Sequence, residues 1–225
     1  MAIEDETQTS VWDVEAGKRL WVVAGGRWPA FSPNGQRLAV AKDSEVHLLD
    51  AASGAPRSKL SKLRASVYSL AFLSDDELAV GDADAGLSIW ELGQDKLVAE
   101  RKLANPAIAL ASLGEPPQLV QAISGEVQCV EPRTGALAAR LGGELAYRIA
   151  IAVEPASRLV AVNGLNGEVL LWSQRDQRQQ RTLRGHAALV TTLAFSPDGR
   201  VLATGGGDLV IRLWDRHRML DLRRI

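Results

Sequence analysis

A short apolar segment recurs along the chain of 225 residues. Each copy ends in an aromatic or aliphatic residue, here called the marker residue, that is usually followed by an acidic one. The marker residues lie 37 to 42 residues apart and are Trp12, Leu49, Trp90, Val130, Trp172 and Trp214. A constant spacing of this size indicates that one structural unit of about forty residues is repeated along the chain.

A second marker keeps the same spacing. A turn-forming segment precedes the middle of five units: FSPNGQ from Phe31, FLSDDE from Phe72, EPPQ from Glu115, EPASR from Glu154 and FSPDGR from Phe195. The intervening text is short, apolar and β-branched, as in RLAVA and RLVAV, which is typical of short strands joined by tight turns. Helical periodicity is not sustained anywhere. Forty residues of this kind predict a four-stranded antiparallel propeller blade that packs against a neighbour on each face.

The last unit resembles one repeat of the WD-repeat (WD40-type) β-propeller family. The residues that carry the resemblance are Gly185-His186, the SPDG turn from Ser196 to Gly199, Thr204, Asp208 and Trp214-Asp215. The resemblance covers almost the whole chain but is strong only in this unit. It implies an all-β propeller of four-stranded antiparallel blades, belonging to a ring of six or seven.

The strand count predicts five complete blades and one partial N-terminal blade. Met1 falls where the second strand of the first blade should already be running, so the innermost strand of that blade has no sequence to form it. We therefore expect residues 1–225 to be a single propeller domain that is incomplete at its N-terminus. The missing strands would come from a longer chain or from another chain.

The resemblance also implies a hydrogen-bonded network that locks the last blade. Its members would be His186, Thr204, Asp208 and Trp214. A buried aspartate needs donors, and a histidine can accept from one neighbour while it donates to another. The rival interpretation is a catalytic His-Asp-Thr set, which needs an exposed nucleophile beside a base. Because Thr204 lies inside an apolar strand segment, we expect a structural network and no catalytic residues.

The aspartate of this network has counterparts six residues before the other marker residues. The position is occupied by Glu6, Asp43, Asp84, Ser124 and Asn166. The glycines beside Asp208, in TGGGD, lack the following helix and the lysine of a P-loop. They predict instead a β-turn that tolerates positive φ.

No metal or cofactor site is expected, because the three histidines, His47, His186 and His217, are scattered and Cys129 is the single cysteine. The basic run from Ser173 to Arg184 leaves two alternatives open. Such a run is usually a solvated outer strand with its loops, but it can also form a patch for a partner.

The charge balance argues against nucleic acid or membrane as partners. With 26 basic and 27 acidic residues the net charge is −1, so no overall field attracts a polyanion. The N-terminus lacks the basic start and apolar stretch of a secretory signal. These features predict a cytoplasmic protein.

The family resemblance implies a non-catalytic scaffold for protein or peptide partners. Aromatic and arginine residues, the types that dominate contact hot spots, occur where the innermost strands begin. These candidates are Arg27, Trp28, Arg64, Tyr68, Tyr147 and Arg148. The alternatives are a regulatory or sensor propeller of a larger signalling enzyme, such as a kinase or NTPase, and, less favoured, an enzyme built on a propeller.

Overall fold

A computed structural model describes the chain except for residues 5–6, 14–15, 62, 124, 143–144, 147–148, 197, 216–220 and 225. The described residues form antiparallel strands and one short 3-10 helix, Leu165–Gly167. The strands make one three-stranded sheet and five four-stranded sheets. This arrangement confirms the predicted class, an all-β propeller with five complete blades and a smaller first one.

Each sheet is one blade, and its strands lie side by side in chain order. Blade 1 consists of β1 (Ala2–Glu4), β2 (Gln8–Asp13) and β3 (Lys18–Ala24). Blade 2 consists of β4 (Arg27–Phe31), β5 (Arg37–Lys42), β6 (Glu45–Asp50) and β7 (Pro56–Leu60). Blade 3 consists of β8 (Val67–Phe72), β9 (Glu77–Asp82), β10 (Gly86–Glu91) and β11 (Lys96–Lys102).

The other three blades repeat this order. Blade 4 consists of β12 (Ala109–Leu113), β13 (Gln118–Ile123), β14 (Glu126–Val130) and β15 (Leu137–Leu141). Blade 5 consists of β16 (Ile151–Glu154), β17 (Leu159–Asn163), β18 (Val169–Ser173) and β19 (Arg178–Leu183). Blade 6 consists of β20 (Val190–Phe195), β21 (Val201–Gly206), β22 (Ile211–Asp215) and β23 (Asp221–Arg224).

The chain divides into two compact units. The first unit, residues 1–107, contains blades 1 to 3 and two apolar cores. One core lies between blades 1 and 2 and is formed by Val11, Leu38, Val40 and Leu49, against which Trp21 packs. The other lies between blades 2 and 3 and includes Leu48, Leu60, Leu70, Phe72 and Trp90.

The second unit, residues 108–225, contains blades 4 to 6 and is built in the same way. Its first core lies between blades 4 and 5 and includes Leu113, Val120, Cys129, Ala139 and Val162. Its second core lies between blades 5 and 6 and includes Val169, Leu171, Leu183, Leu202 and Trp214.

The second strand is buried on both faces in four of the blades. Four consecutive residues are buried in β5, β9 and β13, and all five are buried in β17. Blades 2 and 5 pack against a neighbour on each face within their own unit, so both sets of alternating side chains are removed from water there. This explains why the sequence shows little inside-outside alternation.

Every outermost strand carries a bulge at the same place. The marker residue is the last or the last but one of the strand next to the outermost strand, and one extra residue is inserted in the outermost strand beside the residue that opposes the marker. In blade 5, for example, Trp172 opposes Gln179 and Leu171 opposes Arg181, so that Gln180 is the extra residue. A bulge re-aims the side chains that follow it.

In the described part of the chain, no helix has the length and apolar character needed to cross a membrane.

Candidate functional site

The four residues predicted to form a network in blade 6 are hydrogen-bonded to one another. His186 lies in the loop before β20, Thr204 in β21, Asp208 in the turn after β21 and Trp214 in β22. The imidazole Nε2 of His186 lies 2.7 Å from the Thr204 hydroxyl, which accepts the indole N–H of Trp214 at 2.9 Å. The Nδ1 atom of His186 lies 3.0 Å from both carboxylate oxygens of Asp208.

The donors and acceptors along this chain are matched. Because an ionised carboxylate only accepts, Nδ1 of His186 donates to Asp208. Nε2 of the neutral ring then accepts the hydroxyl proton of Thr204, whose oxygen is left to accept from Trp214. One chain of bonds thus connects the loop before β20 to two strands and a turn of the same blade.

Asp208 also caps the backbone around it. Its carboxylate accepts the amide N–H of Ala187 at 3.0 Å and that of Val210 at 3.3 Å. These backbone bonds, with the hydrogen bond from His186, lower the pKa of Asp208 from 3.8 to about 2, against an opposing effect of burial. The carboxylate is therefore ionised at neutral pH and holds the loop against the turn.

The threonine and the histidine of the network are closed to solvent. Thr204 is 1% exposed, and the side chain of His186 is 0% exposed. A nucleophile must reach its substrate, so the buried hydroxyl of Thr204 does not have the geometry of a catalytic set. The geometry instead favours the structural interpretation of the four residues.

The glycines beside Asp208 do not serve the turn as predicted. None of Gly205, Gly206 and Gly207 has a positive φ, and it is Leu209 that adopts a φ of 60°. Gly206 instead allows close packing, since a Cβ there would lie 2.5 Å from the carbonyl oxygen of Leu189. The prediction of positive φ was wrong, and Gly206 instead makes room for the loop that carries His186.

In the first unit, two of the predicted partner-binding residues lie together at the start of β4. The guanidinium of Arg27 lies 5.7 Å from the ring centre of Trp28. Glu4 of β1 accepts from Arg27 Nε at 3.2 Å and from the amide N–H of Trp28 at 2.8 Å. Trp28 has a φ of 54° and is 36% exposed.

Tyr68 occupies the corresponding place in β8, the neighbouring innermost strand. Val67 opposes Asp82 and Ser69 opposes Gly81, so Tyr68 is the extra residue of a bulge and is 42% exposed. Arg64 points elsewhere, because its guanidinium pairs with Glu100 of the outermost strand β11 at 3.3 Å. The remaining two candidates, Tyr147 and Arg148, lie outside the described residues, as does His217.

The single cysteine has no catalytic character. Cys129 is completely buried in blade 4, and burial raises the pKa of its thiol to about 11. A thiolate is therefore not available at neutral pH. The described part of the chain contains no group of three or more His, Cys, Asp or Glu residues that could hold a metal ion.

Residues 177–215, which include the whole described network, match the family model "WD domain, G-beta repeat". The chain carries a WD repeat. The family resemblance seen in the sequence is thereby confirmed.

A segment of 115 residues is similar to WD repeat-containing protein 55 of several mammals. The identity is 30% for the Homo sapiens protein, 30% for the Bos taurus protein and 28% for the Rattus norvegicus protein. In each comparison the segment covers 48% of this chain and 30% of the relative. The chain thus spans less than a third of the length of these relatives.

The WD repeat of blade 6 differs from the other blades in its turn aspartate. Asp43 and Asp84 occupy the position of Asp208, but both are exposed. Among the described residues, neither carboxylate is bonded to a histidine as that of Asp208 is. In blade 3 the turn is capped by Asp82 instead, whose carboxylate accepts the amide N–H groups of Asp84 and Gly86. Glu6 and Ser124 lie outside the described residues.

The tryptophans of the other blades find other partners. In blades 1 and 3 the indole N–H is donated to a serine two residues earlier, from Trp12 to Ser10 at 3.0 Å and from Trp90 to Ser88 at 2.8 Å. The sequence analysis does not include these serines, although the spacing Ser-x-Trp indicates them, since residues i and i+2 of a strand share a face. In blade 5 the buried indole nitrogen of Trp172 has no hydrogen-bond partner among the described residues.

Proposed function

We propose that this protein is a non-catalytic scaffold and that it binds a protein or peptide partner through Trp28 and Tyr68. The observation that carries the proposal is the conformation of Trp28. A bulky residue with a φ of 54° is strained, and such strain persists only where the surroundings hold it. Here the carboxylate of Glu4 accepts hydrogen bonds from the backbone N–H of Trp28 and from the guanidinium of Arg27.

This support keeps a large apolar ring in water. Trp28 and Tyr68 belong to bulges of neighbouring innermost strands, and a bulge frees a side chain from the regular pleat. Aromatic rings that are held rigidly lose little conformational entropy when a partner covers them. Aromatic and arginine side chains are also the types that carry most binding energy in protein interfaces.

The family supports a binding function in general, since WD-repeat propellers are mostly interaction scaffolds. It does not identify the partner. A regulatory or sensor role within a larger signalling enzyme and a cytoplasmic location both stay predictions.

Site-specific crosslinking tests the proposed surface. We would place a photoreactive phenylalanine analogue at Tyr68 and, as a matched control, at Leu137, which is 51% exposed on the outermost strand β15. We expect a protein that crosslinks from position 68 and not from position 137. Its affinity for purified Trp28→Ala/Tyr68→Ala should be at least tenfold lower than for the unmodified chain, with an unchanged melting temperature. Identical crosslinks from the two positions, or an unchanged affinity, would overturn the proposal.

A further inference from the structure

Two arginines of β19 lie on the same face of blade 5 although they are three residues apart. Arg178 opposes Ser173 of β18, and Arg181 opposes Leu171. Ser173 and Leu171 are alternate residues of one strand and therefore share a face. Because Gln180 is inserted as the extra residue of the bulge, Arg178 and Arg181 share that face as well. We call them the β19 arginine pair.

Arg181 occupies a position that two other blades use for packing. The equivalent residue after the bulge is Trp21 in blade 1 and Ala139 in blade 4. Trp21 packs against the core between blades 1 and 2, and Ala139 is part of the core between blades 4 and 5. Arg181 is exposed instead. A residue that departs from the local packing pattern without a compensating contact is a candidate for function.

Unlike cations of another outermost strand, the β19 arginine pair is not in hydrogen-bond or ion-pair contact with a carboxylate of the described residues. In blade 2, Arg57 and Lys59 contact Asp50 and Glu45 at 2.6 and 2.8 Å. Among the described residues, neither Arg178 nor Arg181 forms a side-chain hydrogen bond or an ion pair.

The nearby carboxylate of Asp176 is already engaged. It is hydrogen-bonded by Ser173 and Gln180, and these bonds, together with the charges of Arg178 and Arg175, lower its pKa. Two guanidinium groups therefore face solvent with their donors free.

We propose that the β19 arginine pair binds an acidic peptide segment of a protein partner. A guanidinium group offers parallel N–H donors that match a carboxylate in two-point contact. In an extended peptide, side chains two residues apart share a face and lie about 7 Å apart. Two acidic residues at this spacing can reach Arg178 and Arg181 at once, while β19, the outermost strand, leaves room along its open edge.

A peptide fits this site better than a nucleic acid does. Tight binding to nucleic acid needs several phosphate contacts, whereas the pair supplies two cations in a chain of net charge −1. The site lies in blade 5, so it does not depend on the function proposed for Trp28 and Tyr68.

The experiment uses the full chain and a labelled heptapeptide of alternating threonine and glutamate. Its control is the same peptide with glutamine in place of glutamate. We would measure fluorescence anisotropy at low and at physiological salt. We expect binding of the glutamate peptide only, weakened at least tenfold by Arg178→Gln/Arg181→Gln. The matched variant Arg200→Gln removes an arginine whose side chain is 78% exposed in the β20–β21 turn, and it should leave the affinity unchanged.

Three results would overturn the proposal. One is the absence of any binding by the unmodified chain. Another is an equal loss of affinity in Arg200→Gln, which would assign the binding to overall charge. The third is equally tight binding of a single-stranded oligonucleotide, which would make the surface a general anion site. Circular dichroism of both variants checks that the exposed substitutions leave the fold intact.

Discussion

The hydroxyl of Thr204 accepts the indole N–H of Trp214 at 2.9 Å, and the two residues are 1% and 4% exposed. This bond joins β21 to β22 inside the apolar core between blades 5 and 6. Because the same hydroxyl contacts His186, it also connects both strands to the loop before β20. A single hydroxyl therefore satisfies two buried polar groups of other residues.

Thr204→Val should lower the free energy of unfolding by about 1–3 kcal/mol. Valine has the same shape as threonine, so the change removes the hydroxyl and leaves the indole N–H and the imidazole nitrogen buried without a partner. Urea denaturation followed by circular dichroism measures the effect. Thr192→Val, at an exposed position of β20, is the matched control and should change little. Equal stability of the two variants would show that the buried bonds contribute nothing.

The contribution of Asp208 should disappear in acid. Its folded pKa of about 2 lies below the ordinary value of 3.8, so the carboxylate stabilises the folded state above pH 3.8, and this contribution is lost as the pH falls towards 2. We expect the difference in unfolding free energy between the unmodified chain and Asp208→Asn to be constant near neutral pH and to shrink between pH 4 and pH 2. Denaturation series at several pH values measure it. A difference that does not vary with pH would contradict the assigned role.

The sequence predicts the architecture well because the marker residues and the turn segments each occur at a fixed place in a blade. Each marker residue lies at or next to the end of the strand beside the outermost one, and each turn segment joins the first and second strands of a four-stranded blade, so periodic spacing is enough to place them. The partners of Trp214 were also predictable, since they lie in the one repeat where the family pattern is nearly complete. What spacing cannot show is which polar group a side chain reaches in the folded blade.

Other features depend on contacts between distant residues. The close approach of Gly206 to Leu189 and the support of Trp28 by Glu4 arise only when separate segments pack together. Arg178 and Arg181 share one face because of a bulge, and no residue pattern in β19 predicts that bulge.

Val162→Thr should be unusually well tolerated for a polar substitution in a core. Val162 pairs with Leu170 in blade 5 in the same way that Thr204 pairs with Arg212 in blade 6. Val162 therefore occupies the position that, in blade 6, supplies the hydroxyl acceptor for the tryptophan indole. A hydroxyl there can accept the unpartnered indole N–H. Val169→Thr, on β18 in the core between blades 5 and 6, is the control and should cost about 1–3 kcal/mol, the usual cost of a buried hydroxyl. Equal destabilisation in urea denaturation would mean that the new hydroxyl does not reach the indole.

Gly206→Ala and Gly207→Ala should differ although the two glycines are adjacent. A Cβ on Gly206 would lie 2.5 Å from the carbonyl oxygen of Leu189, whereas one on Gly207 would lie 3.5 Å from the Cβ of Ala188, an ordinary contact. The first change must displace the loop that carries His186, so we expect a loss of about 1–3 kcal/mol, typical of overpacking. Gly207→Ala should be neutral or slightly stabilising, because alanine restricts the unfolded chain. Thermal unfolding of the two variants measures the contrast, and an equal loss in both would point to a backbone requirement in place of the close approach.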